Sequence, residues 1–62
     1  MNIKEGSLVE LDTDGQSNFD GSLGIILKVM HNCFDFNALF EIYFFDKNET
    51  RWYTRTNFSV LA

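Results

Sequence analysis

The chain has no proline, one cysteine (Cys33), one histidine (His31) and only five basic residues. Each shortage removes a class of structure or chemistry. One cysteine cannot close an intrachain disulfide, and a lone thiol fits a reducing compartment. One His and one Cys fall short of the four N or S ligands of a structural zinc site. No apolar run approaches the ~20 residues of a membrane-spanning helix. The first residues lack the basic flank and apolar core of a secretory signal. No linker, internal repeat or low-complexity tract interrupts the chain, and no apolar stripe with a 3.6-residue period reaches helix length.

With 62 residues the chain reads as one domain over positions 1–62. A domain this small buries a modest fraction of its surface. Without disulfide or metal it needs dense apolar patterning or a partner. The compensation is aromatic: seven Phe, two Tyr and one Trp, each able to bury roughly 150–250 Å². The net charge is −4 and unevenly spread. Residues 1–27 hold one base, Lys4, against five acids: Glu5, Glu10, Asp12, Asp14 and Asp20. Residues 28–62 carry four charges of each sign. A nucleic-acid backbone repels such a chain, whereas a basic partner suits the acidic half.

Short apolar runs separated by Gly, Asn, Asp and Ser predict an all-β domain. The first run is Ser7 to Leu11, with Gly6 before it to supply an unusual backbone angle. Residues 12–21, DTDGQSNFDG, are turn chemistry with one apolar anchor, Phe19. The second run, SLGIILKVM from Ser22, is apolar on both parities, as in a central or strongly curved strand. Gly24 inside it predicts a bend, a bulge or close approach of another backbone. Residues 31–38 read as a loop. The third run, Leu39 to Phe45, sets Phe40, Ile42 and Phe44 on one parity. Asp46–Glu49 reads as a tight hairpin connection. The fourth run is Thr50 to Thr54. A short turn at Thr56–Phe58 and a brief strand over Ser59–Leu61 complete five strands. This order is the plan of a single small five-stranded SH3-like barrel, and closure would remove exposed edges.

The pattern Gly6-Ser7-Leu8-Val9 followed by Gly21-Ser22-Leu23-Gly24-Ile25-Ile26-Leu27 resembles the strand–loop–strand pattern of KOW and related SH3-like barrels. Phe40–Phe44, Thr50-Arg51-Trp52 and Asn57–Leu61 extend the likeness over nearly the whole chain. The complete arrangement is similar to small SH3-like proteins of marine bacteriophages, particularly phages of cyanobacteria. The resemblance implies a phage protein acting in the host cytoplasm or within the virion. The chain departs from nucleic-acid-binding KOW domains at the first loop, where Asp12, Asp14 and Asp20 stand in place of basic residues.

Candidate chemistry is sparse. His31 and Cys33 lie two apart with Asp35 following, but alternate residues of a loop seldom aim at each other, and no orienting group accompanies them. Asp12-Thr13-Asp14-Gly15 echoes the start of a calcium loop. The bidentate Glu required at the twelfth position is replaced by Leu23. No enzyme activity, cofactor or metal is expected. Phe34, Phe36 and Phe19, in loops, either cap the barrel ends or serve as contacts.

The face of Trp52 depends on hairpin register. A two-residue Lys47-Asn48 turn sets it beside Tyr43; one more loop residue sets it beside Phe44, and a one-residue slip exchanges the faces. The second register is favoured, because it buries Trp52 with Phe40, Ile42 and Phe44 and turns both arginines outward. It would expose Tyr43, Phe45, Arg51, Tyr53 and Arg55 together. Tyr and Arg are enriched at interface hot spots, and Arg gains by stacking on aromatic rings. With Asp12, Asp14 and Asp20 these form the candidate contact residues of a non-enzymatic protein-interaction module. Its expected partner is a host or virion protein, or a second copy of the chain. The alternative is a nucleic-acid-associated KOW-like domain, which would need a positive groove beside the aromatics.

Overall fold

A computed structural model describes residues 3–31 and 38–62. Cys33, Phe34, Asp35 and Phe36, weighed above as loop residues, lie outside the described residues. The protein is all-β. Five antiparallel strands form one sheet: β1 (Leu8–Leu11), β2 (Leu23–His31), β3 (Ala38–Phe44), β4 (Glu49–Tyr53) and β5 (Phe58–Val60), with a 3-10 turn at Arg55–Asn57 before the last. The order across the sheet is β4-β3-β2-β1-β5.

The sheet does not close into the expected barrel. β4 pairs with β3 and β5 with β1, so these two strands are its edges. They hold five and three residues. Curvature replaces closure. β2 is long enough to pair β1 through Leu23–Ile25 and β3 through Gly24–His31. Its register against β3 shifts between Ile26 and Lys28, and such a bulge bends a strand and raises its twist.

The inner face of the curved sheet is the core. Val9, Leu11, Ile26, Phe40, Ile42, Phe44 and Phe58 are buried there, with Phe19 brought in from the first loop. Phe19 meets Phe44 edge-on, and Phe40 meets Phe58 likewise, both at 5.2 Å between ring centroids. Phe19 is therefore a cap on the core. Each such side chain contributes about 1.5–3 kcal/mol through burial.

Gly24 explains the apolar run around it. A Cβ here would lie 2.6 Å from the Ile42 Cγ2 and 2.6 Å from the Tyr43 carbonyl oxygen. The strand needs glycine because β3 passes too close for any side chain. Gly6 has φ +92°, the unusual angle expected ahead of β1.

The β3–β4 turn holds four residues, Phe45–Asn48. The amides of Lys47 and Asn48 both donate to the Phe44 carbonyl, and Asn48 takes φ +52°. Asn is one of the few residues that accept this conformation. Because the turn begins at Phe45 rather than Lys47, Phe44 pairs with Glu49 and Trp52 with Glu41. Relative to the favoured register this is a slide of three residues, an odd number, so the faces of β4 exchange. Trp52 is not buried against Phe44. It stands on the outer face, 41 % exposed.

Candidate protein-contact site

The exchange of faces divides the expected contact wall in two. Tyr43 lies opposite Ile25 and Thr50 on the outer face of the sheet. Phe45 follows it into the turn, its ring 5.8 Å from that of Tyr43. The Tyr43 hydroxyl donates to Asn48 Oδ1 at 2.6 Å and so braces the turn. Arg51 and Tyr53 instead lie opposite Ile42 and Phe40, on the inner parity. There they meet the first loop rather than a solvated wall.

Arg51 places its guanidinium 4.4 Å from the centroid of Phe19 and pairs with Glu49 at 3.0 Å. Tyr53 is half-buried, its ring edge-on to Phe44 at 6.0 Å and its hydroxyl 3.5 Å from Ser17 Oγ. Arg55 falls in the 3-10 turn. Its Nη1 donates to the Phe58 carbonyl at 2.7 Å, and its guanidinium stacks on the Phe58 ring. Arg55 thus holds the last strand in place.

The first loop is wired by one of its acids. Asp20 accepts from the Thr13 amide (2.9 Å), the Thr13 hydroxyl (2.7 Å) and the Gly15 amide (2.7 Å). The Thr13 hydroxyl bond, chiefly, holds the Asp20 carboxyl below its ordinary value; partial burial opposes it and the two amide bonds assist. Asp12 accepts from the Asp14 amide at 3.2 Å, an Asx-type turn that suits the positive φ of Asp14. The three acids are therefore unequal: Asp20 organises the loop, Asp12 shapes it, and Asp14 is exposed. Among the described residues no three His, Cys, Asp or Glu gather to hold a metal ion.

Between this loop and β4 lies an open cleft of about 330 Å³, lined by Thr13, Gln16, Ser17, Asn18, Arg51, Tyr53 and Asn57. Its walls carry hydroxyls, side-chain amides and one guanidinium, groups that both donate and accept hydrogen bonds. Tyr53 packs edge-on to Phe44 of the core, and Arg51 stacks on Phe19. Gln16, Ser17, Asn18 and Asn57 are cleft residues that pattern reading passed over. Their types signal turns as readily as recognition, and only the folded loop sets them facing β4.

Comparison with protein-family models, curated proteins and solved structures returns no match to this chain.

Proposed function

We propose that the protein is a non-enzymatic protein-interaction module that binds a segment of its partner in the cleft between the first loop and β4. The observation that carries this reading is the meeting of Arg51 and Tyr53 with Gln16, Ser17 and Asn18 in one recess. Side-chain amides and hydroxyls at that density match the alternating donors and acceptors of a peptide backbone. Tyr and Arg supply the anchors common at the centres of interfaces.

The same arrangement speaks against the nucleic-acid alternative. Among the described lining residues Arg51 is the only base, and Glu49 already neutralises it. A phosphate backbone needs a run of cations. The strand order, the long first connection and the 3-10 turn before β5 support reading the domain as a relative of SH3-like barrels whose sheet stays open. The phage origin, and with it a host or virion partner, is supported by the likeness of the sequence alone.

Affinity capture tests the proposal. Wild-type protein should retain a partner that Arg51→Ala and Gln16→Ala lose, while all three keep the same thermal midpoint within a few degrees. Tyr53→Phe, which keeps the ring on Phe44 and removes the hydroxyl, should weaken capture without unfolding. Undiminished capture by all the variants would remove the cleft from the interface. A salt-sensitive anisotropy shift with single-stranded oligonucleotides would replace this reading with the nucleic-acid one.

A further inference from the structure

The opposite face of the sheet carries a second recess, independent of the cleft. Leu23 and Phe45 are adjacent there, the Phe45 amide donating to the Leu23 carbonyl at 3.2 Å. Both are large apolar residues left in solvent, 43 % and 52 % exposed. With Gly21, Ser22 and Asp46 they line an open hollow of about 300 Å³. Gly21 and Ser22 leave the space; Leu23 and Phe45 supply the apolar walls. An exposed apolar hollow with a polar rim marks a contact site more often than an isolated exposed leucine does.

The rim is acidic. Glu10 is the cross-strand partner of Leu23 and is exposed. Asp46 lines the hollow itself, accepting from the Ser22 hydroxyl at 3.2 Å, which fixes its carboxylate at the edge. Lys47 approaches Asp46 only at 4.0 Å, and its ammonium lies 5.6 Å from the Phe19 ring on the inner side.

We infer that this hollow receives an aliphatic side chain from a partner segment in which lysine or arginine flanks that side chain. The apolar walls take the aliphatic group, and Glu10 and Asp46 take the flanking cations. Charge decides among the possible occupants. A second copy docking the same face would set Glu10 and Asp46 against their own equivalents, and like charges in close apposition are strongly disfavoured. Anionic lipid headgroups meet the same repulsion. A basic, extended segment meets none.

Titration of isotope-labelled protein followed by NMR tests the inference, using a synthetic five-residue peptide alternating lysine and leucine. Amide signals of Gly21, Leu23, Phe45 and Asp46 should move together and saturably. Leu23→Ser with Phe45→Ser should abolish the shifts, and Glu10→Lys or Asp46→Lys should weaken binding severalfold. Tyr53→Phe and Arg51→Ala, in the cleft, should leave it unchanged, which separates this site from the one proposed above. Equal shifts with a lysine–serine or glutamate–leucine peptide would overturn the inference. So would shifts centred on residues 12–18, movement of the same signals with protein concentration alone, or no shift at all.

Discussion

The two faces of the sheet are built from the same strands and share one hydrogen-bond ladder, yet they end in different states. On the inner face Val9, Ile26, Ile42 and Phe44 are almost wholly removed from water. On the outer face Leu23, Leu27, Met30 and Trp52 each keep more than 40 % of their surface in solvent. The alternation along β2 is not apolar against polar, as it is when water covers one side of an antiparallel sheet. It is apolar against apolar, with curvature choosing the side that closes on itself. A single curved layer can bury only its concave face. The apolar surface left outside gains nothing from folding, which is the physical ground for proposing a contact at Leu23 and Phe45.

This contrast can be broken or sharpened by substitution. The largest effect belongs to the inner face. Phe44→Ala removes the ring on which Phe19 and Tyr53 rest. It should cost about 3–5 kcal/mol, enough to leave so small a domain largely unfolded in a urea titration. Gly24→Ala comes next. Its methyl would drive into Ile42 and the β3 backbone, an overpacking that costs about 1–3 kcal/mol and should lower the thermal midpoint by several degrees. Full tolerance of alanine there would mean that β2 and β3 are less closely apposed.

Asp20→Asn should have a smaller effect with a distinctive pH signature. The folded carboxyl is held below its ordinary value, so its contribution is present at pH values above about 3.9 and is lost as the pH falls through the lower folded value. The gap between wild type and variant in urea midpoint should therefore be widest near neutrality and should shrink below about pH 4. A constant gap would show that the Thr13 and Gly15 bonds do not depend on the charge. Leu23→Ser and Trp52→Ser on the outer face, where two-fifths of each residue is already in solvent, should cost less than Phe44→Ala. A loss as large as that of Phe44→Ala would mean that the outer residues belong to the core after all.

Much of this fold was legible in the pattern. The Gly, Asn and Asp cluster over residues 12–21 marked the connection between β1 and β2, and the alternation in Phe40, Ile42 and Phe44 marked the buried side of β3. Gly24 announced a bend, a bulge or a close approach, and the close approach of β3 is what it serves. The register of the β3–β4 hairpin was not legible, for a physical reason. Phe45 reads as a strand residue by composition, yet it opens a four-residue turn that closes on the left-handed Asn48. The favoured register slides the pairing by three residues, an odd number, which was enough to bury Trp52 and expose Arg51 and Tyr53. The candidate site inherited that error. Tyr43 and Phe45 do share the outer face, but Arg51 and Tyr53 face the first loop and Arg55 braces β5. The polar cleft residues could not be selected beforehand, since Gln, Ser and Asn in a loop carry no direction until the loop is folded around Asp20.

Trp52 reports on this register most directly, because it is the only indole in the chain. Acrylamide quenching of its fluorescence should be compared in native protein and in urea. With Trp52 paired to Glu41 on the outer face and 41 % exposed, the native indole should be quenched readily by acrylamide, less than in the unfolded chain but far more than a core indole. A blue-shifted native emission that acrylamide barely reaches would place Trp52 inside. It would reverse the two faces of β4 and dismantle the cleft that Arg51 and Tyr53 line.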